Sequence, residues 1–172
     1  MAVLSHSHIP VTQSELPWAI RQGAIAGVVA GLVFAAFEII MSAATMGVAQ
    51  AAMPLRMIGA IALGEQALEP SYSLAAAALA GVAVHMVLAV IYGGAFAALA
   101  GGLRSGPAII GLASAYGLAL WLLNFYVIAP TAFPWFGDAD PIVQFLAHTF
   151  FFGSVLGYVL WRSHERLLRT MP

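Results

Sequence analysis

Residues 22–47, QGAIAGVVAGLVFAAFEIIMSAATMG, decide the fold, because they form a long apolar run interrupted by a single charged side chain, Glu38. A helix that crosses a lipid bilayer needs about 20 consecutive, mostly apolar residues. This run exceeds that length and consists mainly of glycine, alanine, valine and isoleucine. It therefore predicts a membrane-spanning helix.

Three further apolar runs follow, at residues 74–100, 107–128 and 141–161, and none of them contains a formal charge. The chain is 62% hydrophobic and 8% charged, whereas soluble domains carry roughly 25% charged residues. The sequence thus predicts an all-α fold, a four-helix transmembrane bundle. A net charge of −1 without any lysine offers no basic surface for nucleic acid. The absence of cysteine excludes disulfides and thiolate metal sites.

The predicted membrane domain, residues 22–161, lies between an N-terminal segment, residues 1–21, and a basic tail, residues 162–172. No cleavable signal is expected, since the first twenty residues lack a basic start and an apolar core. Most arginines fall on one side of the predicted membrane, and basic residues favour the cytoplasmic side. These arginines are Arg21, Arg104, Arg162, Arg166 and Arg169. Both termini are therefore predicted to be cytoplasmic, with Arg56 and the interfacial aromatic Trp135 on the outer side.

The segment MPLRMIGAIALGEQAL, residues 53–68, is apolar but too short to cross a bilayer. We expect a short helix that lies in the outer interface or dips back into the bundle. Arg56 is the only charged residue of this segment before Glu65. It could pair with Glu65 or with a lipid phosphate.

A weak internal repeat relates the first and third apolar runs. Gly31 precedes Glu38 by seven residues, and Gly117 precedes Asn124 by the same interval. The second and fourth runs each place a histidine before a glycine. The pattern fits two helix pairs repeated in parallel, but small residues also recur by chance in helices rich in alanine and glycine.

Polar side chains inside the predicted spans are the candidate functional residues. They are Glu38, His85, Tyr92, Asn124, Gln144 and His148. An ionisable group within the hydrocarbon costs roughly 2.5–3.5 kcal/mol. At about 1.5 Å per residue, Glu38, Asn124 and both histidines fall within roughly two turns of one level in the outer half of the membrane. Small residues on the same faces allow close helix approach, so each helix is expected to contribute one polar group to one pocket.

Three interpretations of this group remain open. It is a structural hydrogen-bond cluster that fixes the helix register, or a ligand site, or a path for protons or a solute. As a ligand site, Glu38, His85 and His148 offer the donor set of a divalent metal site. Alternatively, His85 and His148 would be the axial ligands of a haem. No spacing motif supports either, and no catalytic motif is present.

Several segments resemble small, mostly uncharacterised bacterial inner-membrane proteins near the YagU-like families. The segments are FEIIMSA (37–43), MPLRMIGAIALGEQAL (53–68), VHMVLAVIYG (84–93), GLALWLLNFY (117–126), FPWF (133–136) and FLAHTFFFG (145–153). The resemblance covers nearly the whole chain and implies a four-helix protein of the bacterial inner membrane, but little about activity. Residues that match the recurring pattern of that group are Glu38, Arg56, His85, Asn124, Trp135 and His148.

The functional hypothesis from sequence is a non-enzymatic membrane protein whose polar group binds a metal ion, haem or small polar ligand. The first alternative is a structural or assembly subunit of a larger membrane complex. The second is a small proton-coupled transporter, for which four short helices would require a homodimer. The lipid bilayer is the only other partner expected.

Overall fold

The computed structural model describes residues 16–100, 103 and 105–170, with side chains up to residue 165. Within these residues the protein is helical and contains no strand. The helices are α1 (Leu16–Met46), α2 (Met53–Leu63), α3 (Leu74–Leu99), α4 (Gly106–Ala132) and α5, which consists of Pro141–Leu146, Ala147–Ser154 and Val155–Thr170. Single 3₁₀ turns at Val48–Gln50, Glu65–Leu68 and Pro134–Asp138 lie in the connections.

Local chemistry explains where the helices begin and end. The side chain of Ser73 accepts a hydrogen bond from the backbone N–H of Ala76 at 3.3 Å and so caps α3. Asp140 caps α5 by accepting from the backbone N–H groups of residues 142 and 143 at 2.8 and 3.1 Å. Gly47 and Gly64 follow α1 and α2 with φ of +94° and +85°. Glycine adopts this left-handed backbone without steric cost, so these two residues end the helices.

In the described part of the chain, four helices are long and apolar enough to cross a membrane: α1, α3, α4 and the part of α5 from Pro141 to Glu165. The predicted all-α fold with four such helices is confirmed. Two of the helices extend well beyond the predicted runs, since α1 begins at Leu16 and α4 continues to Ala132, whereas α3 nearly matches its run. Exposed aliphatic side chains cover their outward faces, such as Leu32, Leu79 and Val127. This surface fits a multi-pass membrane protein.

The two best-packed helix pairs approach each other at glycines. In the first pair, α1 packs on α3, and a Cβ atom on Gly27 would collide with the carbonyl oxygen of Ala89. In the second pair, α4 packs on α5, and a Cβ atom on Gly117 would collide with the carbonyl oxygen of His148. α1 also packs on α5. Both pairs therefore use the small residues that let backbones come close, but the internal repeat itself stays a prediction.

Two of the long helices contain π-helical segments, in which the turns are wider than in an α-helix. One is Asn124–Ile128 in α4, and the other is Ala147–Ser154 in α5. Each segment begins near a polar residue that the sequence singled out, Asn124 and His148. π-helical turns often occur at functional sites.

The short helix α2 packs on α3 and does not form the ion pair expected from the sequence. A Cβ atom on Gly59 would collide with the backbone of Ala77, so the two helices are in close contact. Arg56, only 9% exposed, donates hydrogen bonds to the carbonyl oxygens of Glu69 at 3.3 Å and Tyr72 at 2.9 Å. The predicted pairing with Glu65 is wrong, because the guanidinium points to the backbone that connects α2 to α3. A position of α2 in the membrane interface stays a prediction.

Candidate functional site

A cavity of about 710 Å³ lies among all five helices, toward the end of the molecule that carries α2. Its walls are the second half of α1, α2, the middle of α3, the end of α4, the start of α5 and the segment 133–140. Most of the lining is apolar. The six polar residues singled out in the sequence all line it: Glu38, His85, Tyr92, Asn124, Gln144 and His148. The structure thus brings the predicted site residues to one cavity.

Glu38 and Gln144 form the buried polar contact of this cavity. The side-chain N–H of Gln144 donates to Oε2 of Glu38 at 2.9 Å. Glu38 is 5% exposed and Gln144 is 8% exposed. The other carboxyl oxygen of Glu38, Oε1, is buried and has no hydrogen-bond partner among the described residues. Since buried polar atoms are nearly always paired, this oxygen has unused capacity to accept a hydrogen bond.

The two histidines are held by backbone carbonyls and make no hydrogen bond with Glu38. Nε2 of His85 donates to the carbonyl oxygen of Gly31 at 2.8 Å. Nδ1 of His148 donates to the carbonyl oxygen of Gln144, also at 2.8 Å. A carbonyl oxygen only accepts, so these ring nitrogens carry the hydrogens. His148 is therefore linked to Glu38 through Gln144, whereas His85 is held on the first half of α1.

Phe34 contacts both imidazoles, with ring centroids 5.1 Å from His85 and 4.9 Å from His148. Its side chain belongs to the same helix as Glu38, about one turn earlier. Among the described residues, no group of three or more acidic or histidine side chains is arranged to hold a metal ion. The predicted metal site of Glu38, His85 and His148 is therefore not supported, and neither is haem ligation by the two histidines.

Asn124 and Tyr92 form a second polar contact at the cavity wall, between α3 and α4. The hydroxyl of Tyr92 donates to the side-chain oxygen of Asn124 at 3.3 Å. One turn of α3 further on, the ring of Phe96 packs on Tyr116, whose hydroxyl donates to the carbonyl oxygen of Tyr92 at 3.1 Å. The backbones of α3 and α4 approach less closely than those of the glycine-packed pairs. These aromatic side chains therefore bridge the wider gap.

Several cavity residues were not identified from the sequence. Trp135, predicted only as an interfacial aromatic, lines the cavity and donates from its ring N–H to the carbonyl oxygen of Met57 at 3.0 Å. It thereby connects the 133–140 segment to α2. Four methionines also line the cavity: Met41, Met46, Met53 and Met57. The aromatic run FPWF could have indicated that residues 133–136 form part of a binding site. Methionines in an apolar chain give no such indication.

Only some of the arginines on which the predicted orientation depends have described side chains. Arg162 forms an exposed ion pair with Glu165 at 3.2 Å. Arg104, the side chains of Arg166 and Arg169, and residues 1–15 lie outside the described part of the chain. The cytoplasmic placement of the termini stays a prediction.

No known protein family, curated protein sequence or solved structure matches this chain. The resemblance to YagU-like proteins therefore stays a prediction, and the argument for function depends on the cavity itself.

Proposed function

We propose that this chain is a multi-pass protein of the bacterial inner membrane that binds a small organic molecule in the cavity around Glu38. One observation carries the proposal: a carboxyl oxygen of Glu38 lies buried at the cavity without a hydrogen-bond partner among the described residues. The metal interpretation is set aside, because no group of three or more acidic or histidine side chains among the described residues is arranged to hold a metal ion. The haem interpretation is set aside because Phe34 packs against both imidazoles and each imidazole is held by a backbone carbonyl.

Burying the carboxyl group of Glu38 costs free energy. A polar atom removed from water without a hydrogen bond costs roughly 1–3 kcal/mol on the evidence of protein mutants. Gln144 compensates one oxygen of Glu38, and the second remains uncompensated. In a structural cluster both oxygens are normally paired. An open acceptor at a cavity is better explained by a ligand that supplies the donor.

The size and lining of the cavity support the same conclusion. Ligand pockets usually have volumes of about 300–1,000 Å³, apolar walls and a few polar groups that orient the ligand. This cavity has a volume of about 710 Å³ and walls that are mostly aromatic, aliphatic and methionine side chains. Its polar groups are concentrated near Glu38 and in the Tyr92–Asn124 contact. The ligand is therefore an amphipathic molecule with a large apolar part.

The proposal includes an orientation. Arg21 and Arg162 lie at the end of the molecule opposite α2, and basic residues favour the cytoplasmic side. Both termini would then be cytoplasmic, and the cavity would lie in the outer half of the membrane. The YagU-like resemblance belongs to the same proposal and is supported only by the sequence segments that carry it.

Native mass spectrometry of the purified protein tests the proposal. The protein is released from lipid nanodiscs, and small molecules that remain bound are identified after extraction. We expect a bound molecule in the wild type and its loss in Leu88→Trp, because Leu88 lines the cavity and the larger ring would fill it. Val87→Trp is the matched control, since its neighbour Val87 is 57% exposed on the lipid-facing side.

The outcomes separate the candidate functions. Loss of the bound molecule in Leu88→Trp but not in Val87→Trp supports a binding site at the cavity. Equal retention in both variants would place the molecule elsewhere on the protein and would refute the proposal. A protein that carries no small molecule but co-purifies with a fixed set of membrane proteins would instead favour the subunit hypothesis.

A further inference from the structure

We infer that the ligand is an amphipathic organic cation whose ammonium N–H group donates a hydrogen bond to Glu38. This inference rests on the proposed function and specifies the ligand class of the same cavity. Its test is designed so that it can fail while the binding function survives.

The charge of the cavity wall is the first argument. Three carboxyl side chains line it: Glu38, Asp138 and Asp140. Glu38 is buried, whereas the two aspartates are exposed, and Asp140 also caps α5. No lysine occurs in the chain, and no arginine is among the described residues that line the cavity. A cation would therefore be attracted by these three carboxylates, and an anion would be repelled by them.

Arg56 lies close in sequence to the cavity residues but does not supply a positive charge to the cavity. It is the nearest arginine in sequence to the cavity residues Met53, Pro54 and Met57, and yet its guanidinium binds the carbonyl oxygens of Glu69 and Tyr72. The one buried cation of this region is thus committed to the backbone. Among the described residues, Glu38 keeps only the neutral amide of Gln144 as a hydrogen-bond partner.

The apolar lining also suits an organic cation. Aromatic rings attract cations at their faces, and Phe34, Tyr92 and Trp135 line the cavity together with four methionines. Methionine side chains are flexible and polarizable, and they adapt to ligands of different shapes. The wall therefore provides apolar contact for the body of the ligand and favourable interactions for its positive end.

The unpartnered oxygen distinguishes among cations. Oε1 of Glu38 needs a hydrogen-bond donor, and a protonated primary, secondary or tertiary amine has an N–H group that can supply it. Hydrogen bonds to a charged group are stronger than those between neutral groups. A quaternary ammonium ion has the same charge but no such donor, so it should bind less tightly than its protonated analogue.

Isothermal titration calorimetry with the full chain in lipid nanodiscs tests the inference, with empty nanodiscs subtracted as background. The probes share one ring system: 1-naphthylmethylamine, 1-naphthalenemethanol, the carboxylate 1-naphthaleneacetate and trimethyl(1-naphthylmethyl)ammonium. We expect the protonated amine to bind at least about tenfold more tightly than the alcohol, the quaternary ion to lie between them, and the anion to bind least.

Variants locate the effect. Glu38→Gln keeps the volume of the side chain and removes its charge, so the amine should lose its advantage over the alcohol while the affinity for the alcohol stays the same. Glu65→Gln makes the same chemical change at an exposed residue outside the cavity lining and should leave all affinities unchanged. The ranking of the four probes in the wild type needs no variant, so the test stands even if Glu38→Gln fails to fold.

Two results would overturn the inference in different ways. If amine and alcohol bind equally tightly in the wild type, the cavity binds apolar molecules without selecting cations, and only the proposed function survives. If no probe binds to the wild type and the purified protein carries no small molecule, the cation inference and the proposed function both fail.

Discussion

Replacing Gly27 with alanine should destabilise the protein, because the backbones of α1 and α3 are in close contact at this position. An added Cβ atom would collide with the carbonyl oxygen of Ala89 and would lie 3.1 Å from the Cα atom of Gly93. Both neighbours are backbone atoms and cannot rotate away. The two helices must therefore move apart at an interface where small residues otherwise allow close backbone contact.

The magnitude follows from two opposing effects. Overpacking a well-packed interior costs about 1–3 kcal/mol, whereas alanine is favoured over glycine within a helix by roughly 0.5–1 kcal/mol. Gly111→Ala is the matched control, since a Cβ atom at Gly111 in α4 would meet no atom within 4 Å. Both variants gain the same helix preference. The difference between their free energies of unfolding should thus be about 1–3 kcal/mol, with Gly27→Ala the less stable.

Reversible unfolding in mixed micelles of dodecylmaltoside and sodium dodecyl sulfate, followed by circular dichroism, measures this difference. Gly27 does not line the cavity, so folded Gly27→Ala protein should still bind its ligand. Equal stability of the two variants would show that α1 and α3 are not in contact at this glycine, and the packing described here would be incorrect.

Three further changes test other contacts by the same unfolding assay. Arg56→Met removes the donor to two backbone carbonyls and should lower the free energy of unfolding by roughly 1.5–3 kcal/mol; an unchanged value would mean that the guanidinium lies in solvent. Trp135→Phe keeps a ring but loses the hydrogen bond to Met57, which should cost about 0.5–1.5 kcal/mol and speed hydrogen exchange in residues 133–139. Asp140→Ala removes the cap of α5 and should cost about 1 kcal/mol. Asp138→Ala is its control, because the Asp138 side chain has no hydrogen bond among the described residues, and equal effects of the two would contradict the capping role.

Composition was sufficient to predict the four long helices, since only a lipid environment accommodates so few charges over such long runs. The helix faces and the membrane depths of the polar residues also predicted that Glu38 and Gln144 line one cavity. Asn124 lines the same cavity, where its partner is Tyr92, and a role of these residues in binding stays a prediction. These results depend on helix periodicity, which a sequence shows directly.

The relation between the carboxyl group and the imidazoles could not be predicted in this way. Each histidine had a backbone carbonyl within reach, at Gly31 and at Gln144, and a sequence does not reveal which carbonyls a side chain can reach. Phe34 looked like an ordinary apolar residue of α1, and yet its ring contacts both imidazoles. Local crowding of this kind depends on distances between helices, which periodicity does not give.

The π-helical segment Ala147–Ser154 has a consequence for how this chain tolerates change in length. The two ends of α5 are therefore rotated relative to each other, compared with their positions in a regular α-helix of the same number of residues. Leu156 and Leu160, both buried, fix the rotation of the later end, and the contact of Gln144 with Glu38 fixes the earlier one. One residue of an α-helix corresponds to a rotation of about 100°. Because the wide turns hold about one residue more than α-helical turns over the same rise, deleting a single residue from them would leave a regular helix with Gln144 and Leu156 on their present faces. Deleting a residue from the regular helix on either side would instead rotate Gln144 away from the carboxyl group.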